Sequence, residues 1–273
     1  MRFRRLAPAA FALALTLPAF AAEPSTLDAN YTIAFWAVPF GHTSYQGKFA
    51  GGGYSAGSHF ETSGVVSVFW NSIIDATVSG HISGRDVHPA VYDSYTRRSS
   101  KKVQQVKVTF DGAMPSTYAN PAYNTTKYPV TDEQKKGSVD PMSAISTILA
   151  GVTATDANPC GSGVRVFDGR RRYDVLFTYL KDVPAKMDNG LFNGTAHLCQ
   201  IHYNEIAGYK QKILKEGEAL PQMFAWFVDV PAKGAPNGRY VVAIKLWSTL
   251  SLGTVTATLD NLKVDGGAAQ FKS

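Results

Sequence analysis

From Tyr31 onward, apolar and polar side chains change places at almost every step. "YTIAFWAVPFG" opens the pattern as a first apolar strand, and "GYSAGSHFETSGVVSVFW" reads as two short strands around Ser63-Gly64. In "KVQQVKVTFDG", Val106, Val108 and Phe110 share one face, with Lys107 and Thr109 on the other. In "RYDVLFTYL", Tyr173, Val175, Phe177 and Tyr179 share a face. "AHLCQIHYNEIAGY" and "QMFAWFVDV" continue the theme, and "RYVVAIKLWSTLSLGTVTATLDNLKV" is a closing hairpin that turns near Leu252-Gly253. Successive side chains of a strand point to opposite faces. A period of two in Val, Tyr, Phe and Thr, broken by Gly, Asn and Asp, therefore predicts an antiparallel meander.

One segment has the other period. In "VDPMSAISTILAGV", Asp140 is a natural helix N-cap, Pro141 takes the first helical position and Gly151 ends the run. Met142, Ile145, Ile148 and Leu149 form its apolar stripe. The preceding "GAMPSTYANPAYNTTKYPVTDEQKKG" has no period and reads as a long loop, the kind that forms lids or rims. The expected fold is all-β: one strongly curved antiparallel meander, an open or half barrel, with one packed amphipathic helix. No internal repeat and no second-domain linker interrupts it.

The ends and totals place this domain. "MRFRRLAPAAFALALTLPAFAAEPS" has a basic start, an Ala/Leu-rich apolar core and a small-x-small cleavage site at Ala19-Phe20-Ala21. It reads as a secretory signal peptide over residues 1–22, leaving a single domain over 23–273 in the periplasm. No later run approaches the roughly 18 uninterrupted apolar residues of a spanning helix. Removing Arg2, Arg4 and Arg5 from the 27 Lys and Arg, against 21 Asp and Glu, leaves a net charge of +3, too mild to argue for nucleic acid. The two cysteines, Cys160 and Cys199, are an even pair in an exported chain and predict a disulfide. The rival is a metal site on "HLCQIH". On a strand His202 would point away from His197 and Cys199, and an oxidising compartment disfavours the free thiolate. No cofactor is expected.

Candidate chemistry concentrates in "VFDGRRRYD". Asp168-Gly169 is a strong two-residue hairpin signal. It would pair Phe167 with Arg170 and Arg165 with Arg172, and set Arg165, Arg170, Arg172 and Asp174 on one face opposite the apolar one. Arg171 would lie at the edge of the apolar face. Such a face is either a solvated charge ladder, worth little energetically, or a guanidinium patch that grips an anion such as a phosphate or sugar acid. The hairpin reading favours the exposed ladder. "GYSAG" at Gly53–Gly57 matches the nucleophile-elbow pattern, but strand-like alternation follows Ser55 where that motif needs a helix. The histidines His59, His81, His88, His197 and His202 are scattered.

"DPMSAISTIL", "PC…VFDGRRRYDVLF", "LCQIHYNEIAGYK" and "RYVVAIKLWSTLSLGTVTATL" together resemble the proteobacterial periplasmic family catalogued as domain of unknown function 3108. The resemblance runs from about Tyr31 onward. It implies a Gram-negative periplasmic protein of twisted, open-barrel type and carries over no catalytic residue. The expected function is non-catalytic: binding of an amphipathic lipid or glycan ligand, or of an envelope partner, in the curved sheet. The alternatives are a hydrolase of an envelope polymer and a purely structural envelope-integrity factor.

Overall fold

The computed structural model describes residues 23–98, 102–210 and 222–271; the expected signal peptide lies outside them. Among the described residues fourteen strands form one antiparallel sheet. The first half of the chain supplies β1 (Ser25–Phe35), β2 (Val38–Ala50), β3 (Gly53–Thr62), β4 (Ser72–Ser83), β5 (Asp86–Arg98), β6 (Val103–Asp111) and β7 (Met114–Asn120). The second supplies β8 (Val164–Phe167), β9 (Arg172–Lys186), β10 (Asn193–Ala207), β11 (Met223–Pro231), β12 (Arg239–Leu250), β13 (Gly253–Val264) and β14 (Gly267–Ala268). Among the described residues the helices are α1 (Gly64–Phe69), α2 (Asp132–Lys135) and α3 (Pro141–Leu149).

The strand order is β7-β6-β5-β4-β3-β2-β1-β13-β12-β11-β10-β9-β8, with β14 paired to β13. Each half is a meander, and β1 joins them by pairing with β13 (Leu27 opposite Val264, Phe35 opposite Val255). Register shifts at Asn30/Tyr31, Ser79/Gly80, Leu198/Cys199 and Trp226/Phe227 bend the strands. The result is a nearly closed, barrel-like sheet. Its two ends approach where the β8–β9 turn meets β6 and β7: a Cβ at Gly169 would stand 2.7 Å from Val106 and 3.1 Å from Thr117. Segment 137–139 stitches the gap. Gly137 N–H donates to Ala113 O, and Val139 pairs in parallel with Val166 of β8.

Helix α3 fills the concave side. It packs against β3, β4 and β5 on one wall and β8 and β12 on the other. Asp140 caps it by accepting the Ser143 N–H at 2.8 Å. Met142, Ala144 and Leu149 are buried, and so are Ser143, Ser146 and Thr147. Their hydroxyls are bonded: Ser143 to Tyr54 (2.6 Å), Ser146 to Tyr45 (2.8 Å), and Thr147 donating to the Ser143 carbonyl (2.7 Å). The predicted stripe is thus corrected at Ile145, which is exposed. A helix enclosed by a barrel is buried around most of its circumference, and its small hydroxyl residues face the tyrosines of the sheet. Tyr54 reaches Ser143 across Gly80, where a Cβ would stand 2.5 Å from the Tyr54 hydroxyl.

The main core gathers Leu27, Tyr45, Phe49, Tyr54, Val108 and Tyr240 with Met142 and Leu149. A second core surrounds the Cys160–Cys199 disulfide, with Phe177, Ile201, Phe227 and Val241. The bridge ties the segment after α3 to β10, with a Cα–Cα separation of 6.1 Å.

Two local expectations change. The second of the two strands expected around Ser63-Gly64 is helix α1. It lies in the β3–β4 connection beside β2 with no strand paired to it, Gly64 turns the chain at φ +63°, and a helix satisfies its own backbone groups. The long loop begins as edge strand β7 and ends in α2, which Thr131 and Gln134 close with a reciprocal capping box.

Candidate functional site

The β8–β9 hairpin is placed two residues out of the expected register. Phe167 pairs with Arg172, Val166 with Tyr173, Arg165 with Asp174 and Val164 with Val175. The carboxylate of Asp168 is the reason. It accepts the N–H of Arg170 at 2.8 Å and of Arg171 at 2.6 Å, so residues 168–171 form the turn. Gly169 takes φ +91°, and its lack of a side chain lets the turn enter between Val106 and Thr117. The shift also sets Asp174 opposite Arg165, where the expected register set two arginines opposite each other. Because the slip is even, Arg165, Arg172 and Asp174 still share one face.

The three candidate arginines have three different environments. Arg165 is exposed. Arg172, expected to face solvent, is only 3% exposed. Its Nη1 lies 2.6 Å from Asp174 Oδ1 and donates to the Tyr173 carbonyl, which makes the carboxylate contact ionic rather than a directed hydrogen bond. Its Nε donates to the Gln134 carbonyl at 3.0 Å. Burial follows because α2 closes over this face. Arg170 sits in the turn, half-buried, its guanidinium 5.3 Å above the ring of Tyr123. Arg171 is exposed at the turn, with its guanidinium 5.3 Å over the ring of Tyr209. No ion pair to Arg170 occurs among the described residues.

Around the turn stand tyrosines that the strand pattern did not bring together. Asp168 acts electrostatically on Tyr92, Tyr123, Tyr173, Tyr203 and Tyr209. Tyr173 and Tyr203 stack with centroids 4.6 Å apart. Burial pushes all five phenols up, Tyr92 to about 12, so they stay neutral hydrogen-bonding groups. Burial also raises the Asp168 carboxyl, opposed by the Arg170 and Arg171 backbone N–H groups and by both guanidiniums.

Between this turn and the loop carrying α2 lies a cavity of about 250 Å³. Arg170, Lys135, Thr117 and Thr125 supply its polar lining, and Val130 and Phe167 part of its apolar lining. Lys135 also pairs with Asp132 at 3.0 Å and lies 5.8 Å from the Phe167 ring centre. Two cations, two hydroxyls and an apolar wall suit a ligand with an anionic head and an apolar body. Lys135 was not singled out from the sequence. The Thr131-x-x-Gln134 capping box is the signal that could have placed a helix, and hence its lysine, in the segment expected to be a loop.

The other sequence candidates do not join this site. Ser55 is an exposed mid-strand residue of β3, opposite Lys48 and Ser79, and strand continues on both sides of it. His59 bonds Asp75 at 2.7 Å and His197 bonds Asp182 at 2.6 Å, both on exposed strand surface. Cys199 is committed to the disulfide. Among the described residues no three His, Cys, Asp or Glu side chains converge as metal ligands.

No curated protein matches the chain. Among solved structures it is similar to a beta-barrel-like protein of domain of unknown function DUF1849 from Brucella abortus. The two share 10% identity at a TM-score of 0.49, over 89% of this chain and 98% of the other. Residues 30–260 match the model of a protein family of unknown function, DUF3108, and the chain belongs to that family.

Proposed function

We propose that this is an exported, non-catalytic binding protein of the bacterial cell envelope, and that its ligand is an amphipathic molecule with an anionic head. The observation that carries the reading is the convergence of Arg170 and Lys135 on one cavity with two threonine hydroxyls and an apolar wall. The cavity opens beside the β8–β9 turn. A ligand there sits at the mouth of the sheet, because α3 fills the concavity itself. Export is supported by the apolar N-terminal run, by the disulfide, and by the absence among the described helices of one long and apolar enough to cross a membrane.

The experiment is thermal unfolding with and without inorganic phosphate, glucuronate and lysophosphatidylglycerol, on wild type and on Arg170→Ala. A ligand that binds the folded state raises the melting temperature as its concentration exceeds Kd. The reading expects a rise with at least one anion, largest for the lysolipid, and its loss in the variant. No rise with any of them, or an equal rise in the variant, counts against it.

A second reading, a purely structural envelope factor, has one specific observation in its favour. The concave side is filled and locked, with Arg172 clamping α2 against the hairpin.

A further inference from the structure

We propose that one rim of the sheet, formed by the β1–β2, β3–β4 and β12–β13 connections, docks onto the anionic surface of a lipid bilayer. These connections emerge from the same end of neighbouring strands and carry large apolar side chains pointing into solvent. Trp36 is 68% exposed, Val68 78% and Leu252 77%, with Val38, Trp70 and Leu250 also exposed. Scattered exposed apolar residues are ordinary, but a cluster at one tip of a β-protein marks an interaction surface.

The backbone is arranged to display it. Phe35 pairs with Val38, so Trp36-Ala37 is a two-residue hairpin turn, with φ +48° at Trp36 and +63° at Ala37. That left-handed geometry normally selects Asn-Gly, and a bulky residue adopts it only at a cost. The indole is held over the next turn. The Trp36 backbone N–H donates to the Thr254 carbonyl at 3.0 Å, and a Cβ at Gly253 would stand 1.7 Å from the indole Nε1, so only glycine admits this packing. Strain kept at an exposed apolar tip is the pattern of a functional site.

Charge selects the occupant. Segments 35–40, 62–72 and 249–254 contain no Asp or Glu. Arg98 is exposed and pairs in register with Ser72, two residues beyond Trp70. Lys102 is exposed just before β6, whereas Arg97 is held by Asp75 at 2.7 Å. Tryptophans and leucines bordered by basic residues, with no acid among them, fit a headgroup layer that is anionic outside and apolar beneath. The apolar tip shares no residue with the cavity beside Arg170, so the two proposals stand or fall separately.

The test is sedimentation of the purified exported chain with vesicles of phosphatidylglycerol and phosphatidylethanolamine in equal parts, against vesicles of phosphatidylcholine alone. Binding is expected to the anionic vesicles, with a blue shift in tryptophan emission, and to fall as salt rises. The Trp36→Ser/Leu252→Ser pair is expected to abolish it. Where the Trp36 change disturbs the turn, Leu252→Ser alone serves, since its exposed side chain can be removed with the melting temperature unchanged. Arg98→Gln with Lys102→Gln is expected to weaken binding by about tenfold. The proposal is overturned by no sedimentation at low salt, by undiminished binding of the apolar variants, or by a dimer in light scattering that Leu252→Ser dissolves. The dimer would assign the rim to a second copy of the chain.

Discussion

The Arg172 guanidinium lies 2.6 Å from the Asp174 carboxylate, beneath α2, and carries the Gln134 carbonyl on its Nε. One buried cation therefore joins strand β9 to the loop that borders the candidate site. Removing it takes a buried guanidinium from the Gln134 carbonyl and from Asp174, whose side chain is 22% exposed, so the loss lies toward the low end of the range for buried pairs. Breaking a buried ion pair from one side costs about 3–5 kcal/mol. Arg172→Ala is expected to lose stability on that scale in urea unfolding, while Arg165→Ala, on the same face but exposed, stays within about 0.5 kcal/mol of wild type. Equal effects of the two substitutions would show that the clamp is not load-carrying.

The disulfide closes a sequence separation of 39 residues. In the chain-entropy account a loop of this length contributes about 4 kcal/mol, by restricting the unfolded chain. Cys160→Ser/Cys199→Ser should unfold at correspondingly lower urea, and reduction of wild type should reproduce the shift. A double variant as stable as the oxidised protein would contradict this.

Asp140 gives a pH signature. Burial raises its carboxyl above the usual range, against the hydrogen bonds from Ser143. A carboxyl whose pKa is raised on folding binds its proton more tightly when folded. Its contribution is therefore most favourable below the unfolded-state pKa and is lost as pH rises from there through the folded value, staying constant above it. Asp140→Asn keeps an acceptor for the Ser143 N–H and a donor for its hydroxyl. The variant should lose this part of the pH dependence and match or exceed wild type in stability at neutral pH. A large loss at neutral pH with an unchanged pH slope would contradict the sign.

How far the sequence revealed all this depends on which interactions decide each feature. Alternation located the strands well where one face is buried, as along β6 and the middle of β9, and the β-rich composition located β12, which is buried on both faces from Tyr240 to Ile244. The start of α3 was legible in Asp140-Pro141, since a cap is a local signal. The hairpin register was not. Asp-Gly reads locally as the turn, but the Asp168 carboxylate moved the turn one step along, and the space between Val106 and Thr117 received it. Segment 64–69 looked like a strand by composition and became a helix for want of a strand paired to it. Arg165 is exposed as expected, and only the exposure expected of Arg172 failed, for the same reason. Whether Arg172 meets solvent depends on where α2 lands, which no pattern within β9 encodes.

Ser55 tests the catalytic alternative. It sits exposed in the middle of β3 with strand neighbours on both sides, without the strand-turn-helix that sharpens a nucleophile. Ser55→Ala should leave the melting temperature within about 0.5 kcal/mol equivalent and change no phenotype. Stoichiometric labelling of Ser55 by an active-serine probe would instead promote the hydrolase.

The central claim is that the cavity between Arg170 and Lys135 holds an anionic amphiphile. Native mass spectrometry of the protein isolated from bacterial cells, beside Arg170→Ala/Lys135→Ala prepared identically, tests it most directly. The account predicts a wild-type mass that exceeds the polypeptide by a bound lipid or glycan carrying a phosphate or carboxylate, and a double variant at the bare mass. A wild-type protein at its bare mass, or an adduct of the same occupancy in the variant, would contradict it.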